Sequence, residues 1–113
     1  MKYALLIYSK GDVERRRTRE IHPSIAAVLE RPDVTGFVRL QPGETGTTVR
    51  LEAAKTLLTD GPFVDSKEFI AGLIIVEAEN LDGALAVAAE LQELDMTAAI
   101  EVRPVLEAEL GGA

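Results

Sequence analysis

The sequence predicts an α+β fold, a two-layer sandwich in which two helices cover one face of an antiparallel sheet. Four principal strand-like runs alternate with two helix-like segments along 113 residues, which is the length of one domain. Two shorter strand-like runs, at residues 47–51 and 55–58, predict an inserted hairpin with its turn near Glu52 and Ala53. The chain is 47% hydrophobic but only 4% aromatic, so the core is predicted to be mostly aliphatic.

The first half of the chain predicts a strand, a helix and a second strand. Residues 3–8 form a continuous apolar run, which is typical of a strand that is covered on both faces. Residues 12–30 become amphipathic, and Pro23 either begins a helix there or kinks it. The apolar side chains of this segment follow one helical stripe, at Ile21, Ile25, Val28 and Leu29. Residues 36–41 alternate between the two faces of a strand.

The second half predicts a strand, a helix and a final strand. Residues 70–78 are strongly apolar, and Gly72 inside them indicates a bulge or a close approach of another chain segment. Asn80 is a good N-cap for the helix that follows. Residues 98–105 alternate again and predict the last strand, and residues 106–113 are predicted to be a loose tail.

This order of elements predicts how the sheet closes. A ferredoxin-like split βαβ arrangement is the natural solution, within a single domain over residues 1–105. Both helices then lie on one face, and the other face is left apolar by the first and fifth strand-like runs. An uncovered apolar sheet face of several hundred Å² is unusual on a monomer. We therefore expect a homodimer that packs sheet to sheet.

Composition excludes several function classes. The net charge of −7 opposes nonspecific binding to nucleic acid or to an anionic membrane. The chain contains no cysteine, which excludes disulfides, thiolate catalysis and zinc–thiolate sites. A single histidine and scattered carboxylates lack the spacing of metal ligands, and we predict no cofactor. No segment has the pattern of a signal peptide or a membrane span, so the expected location is the cytoplasm.

The main candidate site is the segment Thr-Asp-Gly-Pro-Phe at residues 59–63, directly after the second strand of the hairpin. Glycine allows backbone angles that other residues avoid, and proline restricts its own φ, so the segment predicts a rigid bend. Such a bend can present the Asp60 carboxylate as a general acid or base. The alternative is structural, since Asp side chains often accept backbone N–H groups two residues further on.

Four more residues are candidates for the same site. His22 offers imidazole acid–base chemistry, or alternatively it is a surface or helix-capping residue ahead of Pro23. Tyr8 and Ser9 end the first strand, where they could reach the pocket, although Tyr8 equally suits the margin of the sheet. Lys67 could clamp an anionic substrate or pair with the aspartate, or it lies in a solvated loop.

Four blocks of sequence carry a resemblance to a known family. They are Lys-Tyr-Ala-Leu-Leu-Ile-Tyr at residues 2–8, Thr-Asp-Gly-Pro-Phe at 59–63, Lys-Glu at 67–68 and Glu-Val-Arg-Pro-Val at 101–105. Together they resemble the YCII-related family, and in particular its DGPF branch. The resemblance covers roughly residues 1–105 and is specific for the family, without being specific for one reaction.

The resemblance implies a ferredoxin-like dimeric α/β fold, similar to dimeric α+β barrels and to muconolactone isomerase. A histidine and an aspartate that recur in the family have suggested enzymatic function. Here Asp60 matches the motif aspartate, and His22 lies in the segment where the family histidine is found. We predict that the rest of the motif, Gly61, Pro62 and Phe63, binds the substrate beside Asp60.

Three hypotheses follow. The first is an enzyme-like or small-molecule-binding domain that uses Asp60, alone or with His22, for cofactor-independent proton transfer on a small organic substrate, such as a lactone or an enol. The second is a regulatory interaction module that senses a ligand or contacts a sigma factor. Some members of the family that the chain resembles are found with sigma factors, and the acidic surface suits a basic protein partner. The third is a dimeric scaffold in which the bend is only structural.

Overall fold

The computed structural model describes residues 1–9, 21–63, 69–94 and 99–106. These residues form six strands, two α-helices and one 3-10 turn at Gly43–Thr45. In chain order the elements are β1 (Lys2–Ser9), α1 (Pro23–Leu29), β2 (Val34–Arg39), β3 (Thr47–Glu52), β4 (Lys55–Asp60), β5 (Phe69–Glu77), α2 (Leu81–Glu93) and β6 (Ala99–Pro104).

The main sheet has the strand order β2-β5-β1-β6, and every neighbouring pair is antiparallel. This order is that of a ferredoxin-like sheet, in which the two strand–helix–strand units interleave. Strands β3 and β4 form a separate two-stranded sheet, inserted between β2 and β5. The predicted α+β fold class is therefore confirmed, including the inserted hairpin.

One face of the sheet carries the core. Tyr3, Leu5 and Ile7 of β1 are buried at alternate positions, because successive side chains of a strand point to opposite faces. Ile74 and Val76 pair with Leu5 and Tyr3 and are also buried. Four residues of α2 close this layer, namely Ala84, Val87, Ala88 and Leu91, together with Val28 of α1. The small alanines let α2 lie close to the sheet.

The opposite face of the main sheet, here called the open face, has no layer of described residues over it. It is formed by the positions that alternate with the core positions. Its apolar members, which the pairing places side by side, are Ala4, Leu6, Tyr8, Val38, Ile70, Leu73 and Ile75. Val38 is 52% exposed and Ile70 is 42% exposed. An apolar second face was predicted from β1 and β5, and the structure shows it.

Gly72 is both at a bulge and at a close approach. Ile7 pairs with Gly72 and the next residue, Tyr8, pairs with Ile70, so β5 contains one extra residue between them. A Cβ atom built on Gly72 comes within 2.6 Å of the carbonyl oxygen of Val38. Only glycine lets β2 lie this close to β5. The prediction from the sequence is confirmed in both of its forms.

The helix starts follow local capping signals. Pro23 is the first residue of α1, so it begins the helix and does not kink it. Asn80 caps α2, and its side chain accepts a hydrogen bond of 3.1 Å from the backbone N–H of Gly83. Among the described residues, neither helix is long and apolar enough to cross a membrane.

Some predicted boundaries differ from the observed ones. β2 covers Val34–Arg39, whereas the alternation predicted residues 36–41. The hairpin turn lies at Ala53 and Ala54, one residue later than predicted, and both residues have positive φ values, of 47° and 65°. The front of the first helical segment at residues 12–20, and the tail beyond Leu106, lie outside the described residues.

Candidate functional site

The bend that follows β4 is held by backbone geometry and by one side chain. Gly61 has a φ of 99°, which is accessible to glycine and strained for other residues. Its N–H donates a hydrogen bond of 2.8 Å to the carbonyl oxygen of Gly46. The hydroxyl of Thr48 donates one of 2.8 Å to the carbonyl oxygen of Gly61. These contacts attach the bend to the start of β3 and position Asp60 at the base of the hairpin.

The Asp60 carboxylate is exposed and accepts no hydrogen bond or ion pair from any residue that the structure describes. A purely structural role predicts that the carboxylate accepts N–H groups of its own bend. Thr48 supplies the side-chain contact to the bend instead. The sequence offered no signal for Thr48, because its position next to the bend depends on the register of the hairpin, in which it pairs with Thr59.

Asp60 shares one face of the hairpin with apolar side chains. The pairing places Thr47 opposite Asp60 and Val49 opposite Leu58, with Leu51 next along the same face. Val49, Leu51 and Leu58 are 65%, 72% and 69% exposed. They form a continuous apolar surface, here called the hairpin patch. The carboxylate thus lies at one end of an apolar face that nothing covers within the described chain.

The opposite face of the hairpin is polar in character. Arg50 makes an ion pair of 3.2 Å with Glu52 and lies 5.6 Å from the centre of the Phe63 ring. Phe63 is exposed, as is Pro62. Leu57, the apolar residue on this face, is less exposed than the three members of the hairpin patch. Phe63, one of the motif residues predicted to bind a ligand, therefore lies next to Arg50, which is on the face of the hairpin opposite to Asp60.

Tyr8 and Ser9 lie at the C-terminal end of β1, opposite the first residues of β5. Tyr8 pairs with Ile70 and Ser9 with Phe69, and both are partly buried. The 3-10 turn before the hairpin packs on the same Phe69, since a Cβ atom built on Gly43 would lie 3.1 Å from its ring. The fold thus brings the end of β1 and the 3-10 turn before the hairpin to the same residue, Phe69.

His22 caps α1. Its Nδ1 atom accepts a hydrogen bond of 3.2 Å from the backbone N–H of Ser24, and the imidazole is exposed. The helix-capping alternative thus describes what this side chain does in the structure. His22 and Asp60 are not hydrogen-bonded to each other. Lys67, the remaining predicted site residue, lies outside the described residues.

The ion pairs that shift pKa values lie elsewhere. A hydrogen bond from Lys2 holds the pKa of Glu77 below its usual value, and the N-terminal ammonium group adds to the effect. A hydrogen bond from Arg31 likewise lowers the pKa of Glu90, which joins the end of α1 to α2. Among the described residues, no three His, Asp or Glu side chains are grouped to hold a metal ion.

Comparison with known proteins identifies the family. The sequence model of the YCII-related domain matches residues 1–109. An uncharacterized protein of Rhizobium meliloti (strain 1021) is 30% identical over an alignment of 114 positions, which covers 93% of this chain and 92% of the relative. The family model covers β1, the hairpin with Asp60, and β6, the elements that carry the four blocks of sequence. The chain belongs to the YCII-related family.

Proposed function

We propose that this protein binds a small organic molecule and uses Asp60 for cofactor-independent proton transfer, with a lactone or an enol as the class of substrate. The observation that carries the proposal is an aspartate that has no partner among the described residues, on a bend that other groups hold in place. A carboxylate that stabilised the bend would accept hydrogen bonds from the backbone N–H groups of the bend. Asp60 is instead available to accept a hydrogen bond, or a proton, from a bound molecule.

The proposal includes a homodimer. Closure of a site expels water and strengthens the electrostatic interactions inside it, and Asp60 is exposed in a single chain. The open face of the sheet offers an apolar surface that a second copy can cover, with Leu6, Leu73 and Ile75 at its centre. A cleft between two such subunits supplies the low-dielectric environment. We also assign the chain to the DGPF branch of the family, on the motif at residues 59–63.

The test is deuterium exchange into candidate substrates. A panel of lactones and enolisable acids is incubated with the protein in deuterated water, and loss of the exchangeable C–H signal is followed by NMR. We expect Asp60→Asn to slow the catalysed exchange by about 10²–10⁴-fold, the usual contribution of a positioned acid or base. Asp82→Asn, which neutralises an exposed carboxylate in the first turn of α2, is the matched control and retains the parent rate.

The result that would contradict the proposal is exchange by Asp60→Asn at the parent rate with every compound that the parent turns over. If the substitution lowers only the melting temperature, the bend is structural and the third hypothesis holds. Thermal denaturation of the same samples separates these outcomes.

A second candidate function is a regulatory module that contacts a basic protein such as a sigma factor. The net charge of −7 supports this, because it favours association with a positively charged partner. Titration of a purified sigma factor from the same organism, followed by anisotropy at low and high salt, tests it. We expect binding that weakens with salt, and the absence of binding at low salt would exclude this role.

A further inference from the structure

The residue that pairs with Asp60 across the hairpin is Thr47. The 2.8 Å hydrogen bond from the Gly61 N–H to the carbonyl oxygen of Gly46 lies one position beyond this pair. Because the bonds of an antiparallel ladder occur at alternate pairs, Thr47 and Asp60 form a non-hydrogen-bonded pair. Side chains approach most closely at such pairs, where the Cα atoms are about 4.5 Å apart. The side chains of Thr47 and Asp60 therefore lie next to each other on one face of the hairpin.

The Thr47 hydroxyl is available to a bound molecule, whereas that of the next threonine is not. Thr47 is exposed, and its hydroxyl makes no hydrogen bond to Asp60 or to any other residue that the structure describes. Thr48 lies on the opposite face of the hairpin, and its hydroxyl is already used in the 2.8 Å bond to the carbonyl oxygen of Gly61. The two threonines thus have different roles, since Thr48 holds the bend and Thr47 faces the same side as the carboxylate.

Removal of a proton from carbon requires two groups that act together. When a base takes a proton from the carbon next to a carbonyl group, negative charge develops on the carbonyl oxygen, and a hydrogen-bond donor placed there stabilises the enolate. The carbon and the oxygen are only two bonds apart, so the base and the donor must lie close together on one side of the substrate. A carboxylate and a hydroxyl on neighbouring strands at a non-hydrogen-bonded pair meet this requirement.

We propose that Thr47 is a second catalytic residue, whose hydroxyl donates a hydrogen bond to the carbonyl oxygen of the substrate while Asp60 takes the proton from the neighbouring carbon. This inference rests on the proposed function of Asp60. It narrows the class of substrate to carbonyl compounds that carry a hydrogen on the adjacent carbon, such as a lactone. The observation that carries it is the pairing of Thr47 with Asp60, with both side chains exposed on the same face.

The step conserves atoms and charge. The C–H bond breaks, its proton forms an O–H bond with the Asp60 carboxylate, and its electron pair becomes the carbon–carbon double bond of the enolate. The π electrons of the carbonyl group move to its oxygen, where the Thr47 hydroxyl donates a hydrogen bond without losing its proton. Asp60 exchanges its proton with solvent and returns a proton or a deuteron to carbon, which restores the carboxylate and the carbonyl group. No oxidant, reductant or second substrate is required.

The test compares three variants in deuterium exchange of enolisable lactones and ketones. Thr47→Val has the shape of the parent side chain without the hydroxyl, and valine suits a strand. Thr47→Ser keeps the hydroxyl. Thr56→Val makes the same change at an exposed position of β4, further along the hairpin, and is the matched control. We expect Thr47→Val to lower kcat by about 10²–10³-fold with little change in KM, as the loss of one oxyanion donor does. Thr47→Ser should keep most of the parent rate, and Thr56→Val all of it.

Failure of this inference and failure of the proposed function give different results. If Asp60→Asn abolishes exchange and Thr47→Val exchanges as fast as Thr56→Val, only the role of Thr47 is lost. Equal losses in Thr47→Ser and Thr47→Val would also overturn it, because the hydroxyl would then not be the cause. So would a rise in KM at unchanged kcat, which indicates binding of the ground state alone. If the parent catalyses no exchange, or Asp60→Asn exchanges at the parent rate, both proposals fall. Urea denaturation of each variant shows that the comparison is made between folded proteins.

Discussion

Substitution of Gly72 tests whether the close approach of β2 to β5 contributes to the stability of the protein. Replacing it by alanine places a Cβ atom 2.6 Å from the carbonyl oxygen of Val38. Carbon and carbonyl oxygen atoms in contact are normally at least about 3.3 Å apart. The obstacle is backbone, so it cannot move aside as the end of a flexible side chain can. β2 must shift away from β5, which puts the 2.8 Å bond from the Leu40 N–H to the Ala71 carbonyl at risk.

The magnitude follows from three contributions. Overpacking of this kind costs about 1–3 kcal/mol, and the loss of one backbone hydrogen bond costs about 0.5–1.5 kcal/mol. Alanine restricts the unfolded chain relative to glycine, which offsets about 0.4–1 kcal/mol. We expect Gly72→Ala to lower the free energy of unfolding by about 2–3 kcal/mol, corresponding to a melting temperature lower by about 10 °C.

Gly36→Ala is the matched control on the same pair of strands. Its Cβ atom would lie 3.4 Å from Cγ1 of Ile75, an ordinary van der Waals contact, so the free energy of unfolding should change by less than about 1 kcal/mol. Urea denaturation of the parent and both variants, followed by circular dichroism, gives the three free energies. A value for Gly72→Ala within about 0.5 kcal/mol of the parent would refute the reasoning, because the close approach would then have no energetic consequence.

Three further predictions concern the hairpin turn, an ion pair and a helix cap. Replacing Ala53 by Asn and Ala54 by Gly should raise the free energy of opening of the hairpin, measured by amide hydrogen exchange, by about 1 kcal/mol or more. The reason is that both residues have positive φ values, which alanine disfavours. An unchanged free energy of opening would show that the turn is not strained. The pKa of Glu90 is lowered by its hydrogen bond from Arg31, so its contribution to stability is present above the pKa of the unfolded carboxyl and is lost as pH falls through the lower, folded value. As pH is lowered, the melting temperature of Arg31→Met should therefore fall less steeply than that of the parent protein. The same pH dependence in both proteins would contradict this prediction. His22→Ala should cost up to about 1 kcal/mol while His22→Asn retains most of the stability, since Asn can replace the capping acceptor; a loss of deuterium exchange in both variants at full stability would instead give His22 a chemical role.

Local patterns in the sequence determined the elements of the fold. The apolar runs of β1 and β5, the alternation in β6, the cap at Asn80 and the helix start at Pro23 all depend on near neighbours along the chain. Such signals act over a few residues, so they can be recognised from the sequence alone. The order of these elements then left a ferredoxin-like sheet as the natural closure, and the four motif blocks pointed to the YCII-related family.

Only the tertiary structure decided how the candidate site is arranged. The register of β3 against β4 places Asp60 on the face of Val49 and Leu58, and a shift of one residue would have placed it with Arg50 instead. The role of Thr48, the exposure of the hairpin patch and the pairing of Tyr8 with Ile70 likewise depend on contacts between distant segments. Pairing between strands is selected by packing and hydrogen bonding across the whole sheet, and these interactions leave no pattern in any short stretch of residues.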